Sequence, residues 1–86
     1  MPLVDIGVDI SLYPFEAHFA PVIHEFIERL SSHPGLKVLP GSLSTQVYGE
    51  YDQVFAAVRE AVRATLEGRQ GAGTRAALVV KILGPL

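Results

Sequence analysis

Residues 3–13 read Leu-Val-Asp-Ile-Gly-Val-Asp-Ile-Ser-Leu-Tyr, and their alternation decides the fold. Val8, Ile10 and Leu12 fall on one side; Asp9, Ser11 and Tyr13 fall on the other. Successive strand side chains point to opposite faces, so a period of two predicts a strand with one buried and one open face. Pro14 ends it, because proline has no N–H to give to a ladder. The pattern returns at residues 75–83, Arg-Ala-Ala-Leu-Val-Val-Lys-Ile-Leu. There Leu78, Val80 and Ile82 share one face, and Val79, Lys81 and Leu83 take the other.

Between these strands the period changes. In residues 17–32 the apolar positions Phe19, Val22, Ile23, Phe26, Ile27 and Leu30 trace one helical stripe, with His24, Glu25, Glu28 and Arg29 opposite. Pro21 fits only a first turn, so the regular helix starts near Ala20, and Ser31 to Gly35 stops it. Leu36–Leu39 is a short strand. Pro40-Gly41 reads as a turn with glycine at a positive φ. The stretch 42–50 is the returning strand, with Leu43, Thr45 and Val47 facing one way and Ser44, Gln46 and Tyr48 the other. Residues 52–67 carry a second helical stripe of Val54, Phe55, Val58, Val62 and Leu66, with Asp52 as N-cap and Gly68 just past the end. Arg69 to Thr74 reads as a mobile glycine-rich loop.

The order is β-α-β-β-α-β. Right-handed crossovers then give an α+β, ferredoxin-like domain: a four-stranded antiparallel sheet of order 4-1-3-2 with both helices on one face. At 86 residues the chain has room for one domain, spanning 1–86. A domain of this size buries only about 60–65% of its unfolded surface. Without cysteine it has no disulfides to compensate, which points to self-association. The absence of cysteine also excludes thiol catalysis and Cys-based zinc sites. A net charge of −2 with scattered basic residues argues against nucleic acid. No signal peptide or membrane span is read, so a cytoplasmic location is expected.

Strand parity gathers Asp9, Ser11, Tyr13, Ser44, Gln46, Tyr48, Val79, Lys81 and Leu83 on the face away from the helices. Half polar and half apolar, that face suits partial burial, either by a second subunit or by a flat polar ligand. From the pattern alone the subunit contact is the commoner use of such a surface.

Three segments carry a family resemblance: Ile10-Ser11-Leu12-Tyr13-Pro14 followed by Pro21 and Phe26-Ile27, then Ser44-Thr45-Gln46-Val47-Tyr48-Gly49 followed by Val54, then Val79-Val80-Lys81-Ile82. Together they resemble the YkoF-like thiamine/hydroxymethylpyrimidine-binding family, over nearly the whole chain. The resemblance implies a ferredoxin-like domain that binds thiamine or its hydroxymethylpyrimidine moiety without catalysis, for salvage, transport or buffering. It implies assembly with like domains, as a homo-oligomer (a dimer or a dimer of dimers). The binding role carries over to Ser11, Tyr13, Ser44, Thr45 and Gln46. Tyr48 joins them by chemistry, because an aminopyrimidine ring can stack on Tyr13 or Tyr48 while Gln46 and the serines meet its edge. Thr45 faces the helices by parity, so it contributes only if a pocket lies between sheet and helices.

Other constellations carry less. His24 and Glu28 stand at i, i+4, but two ligands do not make a metal site, and an exposed helix face accounts for them. Asp9 and Lys81 read as a cross-strand ion pair, and Glu60 with Arg63 as a surface pair. Gly71-Ala72-Gly73 lacks any phosphate-loop pattern. No catalytic constellation, metal or cofactor is expected. The competing readings are an ACT-like oligomeric regulatory module that binds another small metabolite, an RNA-recognition-type sheet, and an enzyme of dimeric α+β type. The RNA reading lacks the basic, aromatic third-strand motif.

Overall fold

The computed structural model describes residues 3–86; Met1 and Pro2 of the expected 1–86 domain lie outside the described residues. Its elements are β1 (Asp5–Pro14), α1 (Ala20–Ser31), β2 (Lys37–Pro40), β3 (Thr45–Glu50), α2 (Tyr51–Ala72) and β4 (Ala76–Leu83). The strands form one four-stranded sheet in the order β2-β3-β1-β4, with every neighbouring pair antiparallel. This is the ferredoxin-like βαββαβ topology, with the expected order read from the other edge.

Alternation in β1 sets the core. Ile6, Val8 and Ile10 are buried and join Val47 of β3 beneath Phe26 and Leu30 of α1 and Val54, Ala57 and Ala61 of α2. The odd-numbered residues of β1 therefore face away from both helices. Among the described residues, no helix is long and apolar enough to cross a membrane.

Four local expectations are corrected. The α2 helix does not stop at Gly68 but runs to Ala72, and Gly73 ends it in the left-handed region at φ 73°. Arg69 to Ala72 are thus helical rather than loop. Arg69 is held by the Glu16 carboxylate in the β1–α1 connection, and Thr74 Oγ1 donates to that carboxylate at 3.2 Å. The N-cap of α2 is Glu50, not Asp52: its carboxylate accepts the backbone N–H groups of Asp52 at 3.0 Å and Gln53 at 3.3 Å. Pro40 closes β2, and the turn instead runs from Gly41 to Ser44, whose N–H···O=C bond is 2.9 Å long; Gly41 has no positive φ. Leu43 lies in that turn, not in β3, and is almost wholly exposed.

The apolar stripe of α2 is also rotated from the expected one. Val54, Ala57, Ala61 and Thr65 face inward, while Phe55 and Leu66 are exposed. The small inward face lets α2 lie close along α1. The helix layer therefore stops short of β4: Leu78 is half-buried, but Val80 and Ile82 on the helix side remain 41% and 54% exposed.

Candidate functional site

Register places the polar side chains of the open face. Asp9 stands opposite Gln46 of β3 on one side and Lys81 of β4 on the other. Ser44 Oγ donates to Asp9 Oδ1 at 2.6 Å, and Lys81 Nζ stands 4.0 Å from Asp9 Oδ2. The short first bond is charge-assisted and fixes the carboxylate. The second is a loose, cross-strand ion pair made by a largely exposed lysine.

Tyr48 stands opposite Gly7. A Cβ on Gly7 would meet Tyr48 Cε1 at 2.7 Å and Cδ1 at 3.0 Å, so the phenol ring lies directly on the bare β1 backbone. The ring's hydroxyl donates to Gln46 Oε1 at 2.9 Å, which leaves the Gln46 amide N–H groups to donate elsewhere. Gly7, Asp9, Gln46, Tyr48, Lys81 and Leu83 line an open groove of about 380 Å³. It offers a carboxylate, an amide, a phenol face and an apolar wall to one ligand.

The six residues singled out in the sequence divide into three groups. Ser44, Gln46 and Tyr48 come together around Asp9. Ser11 is on the same face, two residues along from Asp9 and diagonal to Gln46, a separation of roughly 7–8 Å in an antiparallel pair. Tyr13 shares the face but not the site. It stands six residues beyond Gly7 in β1, roughly 20 Å at the rise of a strand, and pairs with Ala77. One ring cannot meet both tyrosines, so Tyr48 belongs to the groove and Tyr13 does not. Thr45 is buried on the helix side. It lines a separate cavity of about 70 Å³ between the sheet, α1 and the Gly41–Ser44 turn, with Ile10, Phe26 and Ile27.

Gly7 and Leu83 were not singled out as site residues. The signal for Gly7 was present: a glycine inside an otherwise well-patterned strand marks a close approach.

Elsewhere, a hydrogen bond from Arg69 holds the Glu16 carboxyl below the usual carboxylate range against a smaller opposing cost of burial, with Thr74 and the positive charge of Arg69 adding to the lowering. This group ties the β1–α1 connection to the end of α2 and lies outside the groove. Glu60 pairs with His33 at 3.3 Å, not with Arg63 as expected. His24 and Glu28 are exposed on α1. Among the described residues, no group of three or more metal-ligating side chains converges.

The model of the thiamine-binding protein family matches residues 8–83, from the middle of β1 to the end of β4. The chain belongs to that family. No curated protein matches it. Among solved structures it is similar to a candidate thiamine biosynthesis/salvage protein from Thermotoga maritima, at 28% identity and a TM-score of 0.76, covering 91% of this chain and 81% of that one. A hypothetical protein from Methanocaldococcus jannascii aligns at 22% identity and a TM-score of 0.79, covering 93% and 79%. A protein from Streptococcus pneumoniae aligns at 17% and 0.81, covering 93% and 86%. These last two likenesses show the ferredoxin-like fold alone. Membership of the thiamine-binding family ties the chain to a thiamine-related role and to small-molecule binding.

Proposed function

We propose that the open-face groove binds thiamine or its hydroxymethylpyrimidine moiety without catalysing a reaction, in the cytoplasm, for salvage, transport or buffering. The observation that carries the reading is the convergence of Asp9, Gln46 and Tyr48 on one groove in a chain of the thiamine-binding family. An aminopyrimidine would lay its ring on the Tyr48 phenol, accept a hydrogen bond from the Gln46 amide and donate one from its exocyclic amine to the Asp9 carboxylate. Ser44 already orients that carboxylate. A thiazolium cation suits the same carboxylate once the loosely held Lys81 swings aside. Ser11 shares the face of Asp9 but is not part of the groove's lining.

Size favours this groove over the helix-side cavity. Small-molecule pockets typically span roughly 300–1,000 Å³. The groove, at about 380 Å³, falls in that range; the cavity beside Thr45, at about 70 Å³, falls far below it. Thr45 therefore serves the core in this reading. Self-association into a dimer or a dimer of dimers is part of the proposal, because a cysteine-free chain of this size gains stability from it.

Calorimetric titration with thiamine, hydroxymethylpyrimidine and thiamine diphosphate tests the function. Gln46→Ala, which removes one exposed hydrogen-bonding group, should weaken binding about three- to tenfold with the fold intact. Unchanged affinity in that variant would remove the site from this face. Absence of binding by all three compounds would remove the function.

A further inference from the structure

We propose that a second hollow beside the groove, walled by the Gly41–Ser44 turn, is a subsite for the second ring and hydroxyl-bearing tail of a two-ring ligand. The site as a whole then takes thiamine in preference to the lone hydroxymethylpyrimidine. The inference rests on the function proposed above and narrows its ligand.

Register lays the two hollows end to end. Leu39 of β2 stands opposite Gln46, Gln46 opposite Asp9, and Asp9 opposite Lys81, so these four residues form one row across the open face. The second hollow, of about 430 Å³, lies between Leu39 and Pro40 of β2, Ser42, Leu43 and Ser44 of the turn, and Gln46. Gln46 lines both hollows, and Ser44 of the second donates to Asp9 of the first. Neighbouring strands lie roughly 5 Å apart, which sets Leu39 about 10 Å from Asp9. A single six-membered ring resting on Tyr48 does not reach across that distance. Two rings joined by one carbon do, with the link over Gln46.

The two hollows differ in chemistry. The first offers a carboxylate, an ammonium group and a phenol face. The second has no charged side chain in its lining: its walls are Leu39, Pro40 and Leu43, and its polar side chains are Ser42, Ser44 and Gln46. Such a hollow suits a flat ring that ends in a hydroxyl, which a serine can meet as donor or acceptor. It gives a terminal phosphate no basic partner. A positive ring seated there keeps a counter-ion, because Asp9 is the next strand over and Ser44 bonds its Oδ1 from this side.

Leu43 is the wall that the fold itself does not use. It is 92% exposed at the turn. The turn is closed tightly: the Gly41 N–H donates to the Ser44 carbonyl at 2.9 Å, and a Cβ on Gly41 would meet that oxygen at 3.0 Å. Leu43 is thus held beside the hollow, where its side chain gains burial only when a ligand fills the space.

Calorimetric titration of the full chain with hydroxymethylpyrimidine, thiamine and thiamine diphosphate, on the wild type and on Leu43→Ser, tests the proposal. In the wild type thiamine should bind about tenfold more tightly than hydroxymethylpyrimidine, the effect of burying roughly 50 Å² more apolar surface, and the diphosphate no more tightly than thiamine. Leu43→Ser, at an exposed position, should keep the wild-type melting temperature, weaken thiamine about threefold and leave hydroxymethylpyrimidine unchanged. Equal affinities for thiamine and hydroxymethylpyrimidine, tighter binding of the diphosphate, or a Leu43→Ser variant that weakens both ligands alike or neither, would overturn the subsite and leave the groove standing. Binding of none of the three would overturn the groove's function as well.

Discussion

Replacing Gly7 by alanine should separate the stability of the sheet from the making of the groove. The new methyl would sit 2.7 Å from Tyr48 Cε1 and 3.0 Å from Cδ1, closer than carbon atoms approach. The β1 backbone is fixed by ladders on both sides, so the ring, at the free end of a side chain on the open face, is what moves. Turning it outward uncovers a few tens of Å² of ring, at a cost of ~1 kcal/mol from about 25 cal/mol per Å². The exposed bond to Gln46 is lost as well, for about 0.5 kcal/mol more. Against this, alanine inside a strand gains roughly 0.5–1 kcal/mol over glycine by restricting the unfolded chain. The net loss is ~0.5–1 kcal/mol, a fall in melting temperature of about 2–8 °C for a domain of this size. The groove, however, loses its aromatic floor, and ligand affinity should fall about three- to tenfold with the stacking contact. Two measurements decide it. In the wild type the Gly7 α-protons should be shifted upfield by the ring above them, and this shift should vanish in Gly7→Ala while calorimetry shows the weaker binding. A wild type without that upfield shift would refute the packing of Tyr48 on β1, and a Gly7→Ala variant with full affinity would refute the ring's part in binding. A melting temperature lowered by tens of degrees would refute the freedom of the ring to move.

Gly68 lies inside α2 with nothing within 4 Å of an added Cβ, so Gly68→Ala should raise stability by ~1 kcal/mol, whereas Gly73→Ala, forced to a φ of 73°, should lower it by about the same amount; urea midpoints give the two signs. The Glu16 carboxyl titrates lower in the fold than its ordinary 4.5, so its contribution is present above that pH and is lost as pH falls through the folded value. Thermal melts between pH 6 and acid should show this loss in the wild type and a flatter profile in Glu16→Gln.

The strands were legible because their alternation is strict. Val8 and Ile10 against Asp9 and Ser11 fixed the faces of β1, and the βαββαβ order fixed its neighbours and with them the meeting of Asp9 and Lys81; that Asp9 faces Gln46 came only with the register. The end of α2 was not legible, because its cause lies elsewhere in the chain. Two glycines and a run of polar residues read locally as a loop, and only the Glu16–Arg69 contact, between residues 53 apart in sequence, marks the last turns of the helix. The rotation of α2 was hidden for a similar reason. Phe55 and Leu66 are the stronger hydrophobes, yet the positions buried are Val54, Ala57, Ala61 and Thr65, with Val58 and Val62 partly buried beside them. Within the site, face was legible and position along the strand was not. Parity put Tyr13 and Tyr48 on one surface, but only the register, with Tyr48 opposite Gly7, shows them at opposite ends of β1.

One packing choice bears on the groove. Because α2 turns its small residues inward, the helix layer sits over β1 and β3 and leaves β4 to be held mainly by its ladder to β1, with Leu86 N–H bonding back to the Asp5 carbonyl at 2.9 Å. A strand held by one ladder opens more easily than one packed on both faces. That same strand supplies Lys81 and Leu83 to the groove. A ligand that grips that wall therefore also orders β4, and whatever loosens β4 weakens the ligand's hold. By linkage the two effects are equal: binding beside Asp9 should slow amide exchange in β4 by the same factor that ordering β4 adds to the affinity.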